Sequence, residues 1–375
     1  LHAGDANALL MEPVLGSHSL LVLDEDAHLE ERKRLLPHFH GDSVRRYADT
    51  IAEIAAAEVD TWPVGGRVRT VDAMHRIGLE TILRAVIGAT DPARTARLRD
   101  LLPRAAALTP VIGMMWLRPE LGRFGPWKRY KRTLAQTDVV LYEEIAAHRR
   151  DPDLAERTDI LSLLIANSSL TDVQLRDELI TLLMAGHDTT ATGLAWAFER
   201  LTRHPQELSR AAGGDDDYLD AVVKETLRVR PVIADVVRRA TRDMEVSGYH
   251  VPAGSMLLPA VALVQRSRRH WDDALEFRPQ RFLDGSPVPY TWIPFGGGVR
   301  RCIGAAFASL EMKVVLRTVL ERVELEPPRQ VDEGTRVRGI MMLPARGGEV
   351  RVRRRLAPAA GAAAPSAAVP SAAAS

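Results

Sequence analysis

Phe295-Gly296-Gly297-Gly298-Val299-Arg300-Arg301-Cys302-Ile303-Gly304 sets the chain's one cysteine in a glycine-rich loop that runs into an amphipathic helix. A thiolate beside a helix amino terminus is favoured by the positive end of the peptide dipoles, and Arg300 adds a cation two residues before the sulfur. Glycines carry no Cβ and reach left-handed conformations, so this backbone can pass close to a flat macrocycle. Most free cysteines are small buried hydrophobes. Four glycines and two arginines around Cys302 make that reading weak and favour an iron ligand.

Composition narrows the field. The 375 residues carry 50 basic and 49 acidic side chains, a net charge of +1, which gives no electrostatic reason to expect nucleic acid or an acidic membrane surface. One cysteine excludes an intrachain disulfide and a cysteine-based zinc site within one chain, and a cytoplasmic location fits best. No apolar run of about 18 residues is present, so no membrane-spanning helix is expected, and the start lacks a secretory layout. The chain begins at Leu1, which leads us to expect residues before it. From Leu356 to Ser375 the composition falls to Ala, Pro, Ser and Gly with almost nothing large to bury, so a disordered tail is predicted there, after a single body over 1–355.

Most of that body reads as helix. Asp24 to Leu36 is charged and periodic and stops at Pro37, and a long helix is predicted from Asp42 to Thr61, before Pro63. The longest is predicted from the Thr171-Asp172 cap to His204, before Pro205, and another follows Asp215-Asp216-Asp217 and ends before Pro231. Strand signals are confined to late segments: Met244 to Val251 turning at Gly248, and Glu349 to Arg353. The expectation is a mainly α body with small β-sheets at its edge.

Three constellations stand out. The long helix is interrupted between apolar runs by Gly186-His187-Asp188-Thr189-Thr190, where buried Asp and Thr need partners or water. Such residues can bond their own helix backbone, and a glycine can serve close packing alone. Beside an iron-binding loop, the hydroxyl and carboxylate read as a proton relay. Glu225 and Arg228 share a helix face, and Arg281, in Phe277-Arg278-Pro279-Gln280-Arg281-Phe282, is placed to join them in a rigid buried anchor. His28 and Arg32, four apart on one helix, can both address one anionic group, with Arg238 as a further candidate; in a chain this rich in arginine, each by itself reads as a solvated residue.

These residues carry a family pattern. Phe295 to Gly304 fits Phe-x-x-Gly-x-Arg-x-Cys-x-Gly, Glu225 and Arg228 fit Glu-x-x-Arg, and Ala185 to Thr190 fits Ala-Gly-x-Asp-Thr-Thr, in matching order and separation. From about Met11 to Arg355 the chain resembles the cytochrome P450 family of haem-thiolate monooxygenases. The resemblance implies that Cys302 is the axial thiolate, that Phe295 lies against the haem on the cysteine side, and that Gly298 allows the tight turn there, with Gly304 closing the loop. It implies that Arg300, Arg238, His28 and Arg32 hold the haem propionates. Asp188 and Thr189 would organise protons for dioxygen, Ala185 and Gly186 would leave room for it, and Glu225, Arg228 and Arg281 would form a structural triad. Val232, Ile233, Val236, Met341 and Met342 would line the substrate pocket, and Val111 to Trp127, with Trp116 and Phe124, would serve as an entrance lid or as aromatic anchors.

The implied activity is insertion of one oxygen atom of dioxygen into a hydrophobic small molecule, with haem b (iron protoporphyrin IX) as cofactor. The family normally has more chain before the His28 helix, so part of its amino-terminal region is expected to be lacking here. No dinucleotide fingerprint or cysteine cluster is present, so electrons are expected from NAD(P)H through a separate ferredoxin and ferredoxin reductase. Arg301, Lys313 and Arg317 are candidates for a docking patch. A peroxide-driven peroxygenase, and a non-catalytic haem sensor or carrier, are the competing readings.

Overall fold

The computed structural model describes residues 1–107, 114, 118, 120, 123–329 and 331–357. Its helices are α1 (Gly4–Leu15), α2 (Glu25–Leu35), α3 (Asp42–Arg45), α4 (Ala48–Asp60), α5 (Thr70–Ile87), α6 (Pro92–Ala105) and α7 (Gly125–Arg149). They continue as α8 (Ile160–Asn167), α9 (Asp172–Arg203), α10 (Pro205–Ala212), α11 (Asp216–Val229), α12 (Val261–Gln265) and α13 (Ala305–Arg322).

The organising element is α9, 32 residues long. It starts at a capping box in which the Thr171 hydroxyl accepts from the Gln174 N–H while Gln174 Oε1 accepts from the Thr171 N–H at 3.0 Å. Two hydrophobic cores share it. The first turns of α9 bury Leu175, Leu179 and Leu183 against α5, α6 and α7. Its last turns bury Leu194, Phe198 and Leu201 against α4, α11 and α13. Each fully buried side chain of this size is worth about 1.5–3 kcal/mol. The segment between the two apolar stretches is the one that holds Asp188 and Thr189.

Helix α13 also crosses between the cores, with Phe307 in one and Val315 and Val319 in the other. At Gly193 an added Cβ would meet Met312 of α13 at 3.1 Å, so the small residue lets the two helices close up.

The strands among the described residues make four small antiparallel sheets. β9 (Glu349–Arg355) pairs with both β1 (Arg67–Arg69) and β6 (Val323–Glu326), β2 (Arg238–Arg239) with β5 (Met256–Leu257), β3 (Met244–Val246) with β4 (Tyr249–Val251), and β7 (Thr335–Arg338) with β8 (Met341–Pro344).

Two expectations need correction. Strands are not confined to the later chain: β1 is early, and its three residues are too few to show an alternation. The helix expected over Asp42 to Thr61 is broken at Arg46 and Tyr47, where the Tyr47 hydroxyl donates to Thr158 O and Ala85 O and its ring packs edge-on to Phe307. Tertiary contacts at one aromatic residue override a continuous helical pattern.

Thr171→Ala removes the capping box and should lower unfolding free energy by about 1 kcal/mol. Urea denaturation followed by far-UV circular dichroism measures the loss; an unchanged midpoint would show that α9 needs no cap.

Candidate functional site

The cysteine loop is held at both ends. Cys302 N–H donates to Phe295 O at 2.8 Å, closing the loop into a hairpin. Gly298, at φ +62°, opens a short 3₁₀ turn through Arg300, a conformation that a Cβ would strain. Gly304 caps α13. The Phe295 ring packs against the core and lies edge-on to Trp292, 6.1 Å away.

Cys302 has accessible surface, yet burial is the largest influence on its thiol and pushes its pKa up. The expectation that the loop itself favours the thiolate is corrected: the Gly304 N–H, Arg301 and Arg32 lower the pKa but do not outweigh burial. Arg300 does not act on the sulfur. Its guanidinium turns to Leu20 O, Leu23 O and the Asp24 carboxylate. A coordinated metal ion deprotonates a thiol outright, which would supply what the protein's own charges do not.

Beside the loop lies an excess of positive charge. Arg32 Nη1 donates to Arg301 O at 2.8 Å, tying α2 to the cysteine loop. Arg32, Arg238 and Arg300 all have lowered pKa, first by burial, and Arg300 also feels repulsion from the other two. His28 is buried, and burial followed by Arg300 and Arg32 brings its pKa to about 4. Among the described residues one carboxylate, Asp24, relieves the cluster. Asp24 is itself engaged by the N–H groups of Ala3, Gly4 and Asp5 at 2.7–3.0 Å. Partly buried cations with so little compensation call for an anion. The two propionates of a haem fit that demand, and Cys302 would hold its iron.

On α9, Ala185 is exposed, and the Thr189 hydroxyl donates to Ala185 O at 2.9 Å. Among the described residues no hydrogen bond joins the side chains of Asp188 and Thr189. Its carboxylate faces His75 of α5 at 3.1 Å, His187 at 3.4 Å and Arg338 of β7 at 3.2 Å. Gly186 leaves no open space: a Cβ there would lie 2.8 Å from Ile82 Cδ1, so this glycine serves the contact between α5 and α9.

Glu225 and Arg228 are fully buried and joined by two bonds of 2.7 and 2.9 Å, and Arg281 Nε donates to Glu225 Oε1 at 3.1 Å. Arg228 also donates to the carbonyls of Gln265, Ala274 and Glu276, and Arg281 to those of Asp272 and Asp273.

Of the expected pocket residues, Val232 is in the core, whereas Ile233, Val236, Met341 and Met342 keep some exposure. Ile233 bridges to Met341, and Met342 N–H donates to Val232 O at 2.8 Å, so these segments are held together. Of the lid segment, Trp116 lies outside the described residues, Phe124 is exposed and Trp127 packs on the core. Lys313 and Arg317 are both paired with Asp216, which leaves Arg301 as the least compensated cation of the expected docking patch.

Sequence reasoning missed Asp24, His75 and Glu311. Asp24 had a signal, as an acidic residue before the α2 helix. Glu311 is buried with its pKa raised to about 8, and its Oε1 has no hydrogen bond among the described residues. It lies where α5, α9 and α13 meet, 3.6 Å from a Cβ built on Gly78. A single glutamate in a helix shows none of this.

The comparisons agree with the geometry. The family model described as Cytochrome P450 matches residues 12–351. Cytochrome P450 135B1 of Mycobacterium tuberculosis is 48% identical over 94% of this chain and 78% of its own length. Cytochrome P450 135A1 of the same organism is 40% identical over 95% and 82%. Among solved structures, retinoic acid-bound cyanobacterial CYP120A1 superposes with a TM-score of 0.81 at 22% identity, covering 92% of this chain and 82% of that one. The cytochrome P450DA heme domain gives 0.82 at 24% identity, covering 96% and 84%.

Glu225→Gln leaves two guanidinium groups around a neutral partner in a dry site and should cost about 3–5 kcal/mol. Chemical denaturation measures it, and a loss under 1 kcal/mol would show that the carbonyl acceptors alone hold the arginines.

Proposed function

The chain belongs to the cytochrome P450 family, and from that premise we propose that Cys302 is the axial ligand of haem b in an enzyme that oxygenates a hydrophobic small molecule. Membership makes the protein an oxidoreductase of the monooxygenase class that uses haem iron and dioxygen. The observation that carries the finer reading is the gathering of His28, Arg32, Arg238 and Arg300 around one carboxylate beside the Cys302 loop.

Haem, when bound, supplies the redox chemistry that divides dioxygen between substrate and water; the protein binds, orients and moves protons. In this reading Arg32, Arg238 and Arg300 would take the propionates with the neutral His28 as a hydrogen-bonding neighbour, and the propionate charge would offset the burial of these arginines. Phe295 covers the cysteine side, and Gly298 and Gly304 shape the turn around the sulfur. Ala185, exposed on α9, would leave space for dioxygen. The Thr189 hydroxyl, now bonded to Ala185 O, would release that carbonyl to donate toward dioxygen, and because the Asp188 carboxylate faces His75, resupply from Asp188 would pass through water. The intact acid and alcohol favour dioxygen over peroxide as oxidant. Glu225, Arg228 and Arg281 are structural.

The partly exposed Ile233, Val236, Met341 and Met342 suit an apolar substrate. Electrons come from NAD(P)H through a ferredoxin and its reductase, with Arg301 on the docking side. No helix among the described residues is long and apolar enough to cross a membrane, and we place the enzyme in the cytoplasm.

Cys302→Ser should abolish the thiolate signature in the carbon monoxide difference spectrum of the reduced protein; a retained signature overturns the ligand assignment. With electrons from ferredoxin and its reductase and no organic substrate, Thr189→Ala should lower the ratio of water to hydrogen peroxide formed on the order of 10²-fold, the lower end of what a positioned proton donor contributes. An unchanged ratio removes Thr189 from the relay.

A further inference from the structure

The Asp188 carboxylate does not stand alone on α9. His75 Nε2 lies 3.1 Å from Asp188 Oδ1, His187 Nε2 lies 3.4 Å from the same oxygen, and Arg338 Nη2 lies 3.2 Å from Oδ2. These four side chains line one wall of a cavity of about 490 Å³ between α5, α6 and β7.

The two histidines are not equivalent. His187 is buried, and its Nδ1 lies 2.8 Å from Leu183 O, a carbonyl that can only accept. In its neutral form that bond fixes the proton on Nδ1 and leaves Nε2 bare, so His187 cannot hand a proton to Asp188. His75 has no such lock: neither of its ring nitrogens makes a hydrogen bond among the described residues. Its Nε2 is buried at ion-pair distance from Asp188 but lacks hydrogen-bond alignment, which a small ring rotation would complete. About a quarter of the His75 side chain is open, at 23% exposure, and the paired Glu80 and Arg99 also line the cavity, so that polar groups continue along it from the ring.

We propose that His75 is the positioning residue for Asp188 and the station through which solvent protons reach it. A proton from solvent binds His75 Nδ1 as Nε2 releases one to Asp188 Oδ1; the Nδ1 proton then returns to water while Nε2 takes one from water, which restores the starting tautomer, so that each cycle moves one proton from solvent to Asp188. Arg338 keeps the carboxylate aimed at the ring. This assignment rests on the relay reading of Asp188 and Thr189 given above.

The charges facing His75 set its titration. Burial lowers its pKa most, Arg338 of β7 and His187 of α9 lower it further, and Asp188 of α9 and Asp72 of its own helix raise it. The ring is therefore neutral near pH 7, the form that can accept one proton while donating another. Removing the Asp188 charge must move its titration to still lower pH.

The haem-loaded, carbon monoxide-bound protein with ¹³C-labelled histidine tests this without turnover. The His75 signal, identified by its absence in His75→Gln and independently in His75→Asn, should titrate below pH 6.5 and shift to lower pH in Asp188→Asn; an unmoved titration overturns the proposal. In the oxidase reaction with ferredoxin, its reductase, dioxygen and no organic substrate, His75→Phe should lower the ratio of water to hydrogen peroxide on the order of tenfold, less than loss of a direct donor. It should also flatten that ratio's dependence on pH. A wild-type ratio and pH profile in His75→Phe, with Asp188→Asn impaired, overturns the role of His75 alone. A wild-type ratio in Asp188→Asn overturns the relay reading, and this inference with it.

Discussion

A carboxylate without access to water, Glu225, holds two guanidinium groups, and the position of the cysteine loop follows from that arrangement. Arg228 reaches the carbonyls of Gln265, Ala274 and Glu276, so the irregular chain after α12 is fastened to α11 by charge-assisted bonds. Gln265 then receives the Ile293 N–H, and the Trp292 indole donates to Lys224 O. Trp292 sets Phe295, and Phe295 O receives the Cys302 N–H. Each link is short and buried or half-buried. The pair itself is a costly device, since dry ion pairs rarely beat apolar packing. Its benefit is to fix many carbonyls of a loop that has no regular hydrogen bonding of its own.

The second constraint is the division of the interior into two cores bridged by α9 and α13. Apolar contact on both sides of residues 184–190 carries most of the packing of α9, so polar side chains such as Asp188 and Thr189 can stand between the cores while Gly186 keeps the contact with α5. The cost of placing Asp188 there is met by His75, His187 and Arg338, each from a position that only the folded chain supplies. The proposed relay thus sits in the seam between cores.

Electrostatics shape the remaining face. His28, Arg32, Arg238 and Arg300 come from three separate parts of the chain, and among the described residues Asp24 is the one carboxylate that relieves their burial and mutual repulsion. Such a cluster costs folding free energy unless an anion is bound, which couples stability of the fold to occupancy of the site. The raised pKa of Cys302 fits the proposed ligand role: burial disfavours the free thiolate, and a bound metal would supply the ionisation.

The sequence by itself determined the helical body, the long α9 with its cap, the hairpin around Gly248 and the loop of Cys302, because these depend on local periodicity, turn residues and motif spacing. It also put Glu225 and Arg228 on one helix face, since i and i+3 are neighbours by helix geometry. Only tertiary structure decided that Arg300 turns away from the sulfur to Asp24, that Gly186 packs on Ile82, that Tyr47 breaks a helix, and that β1 pairs with a strand some 280 residues later. It likewise decided that His75, an unremarked residue of α5, faces Asp188. The physical reason is common to these cases: hydrogen bonding, burial and charge at such positions are set by groups distant in the chain, and no local pattern encodes a partner that arrives only when the helices pack.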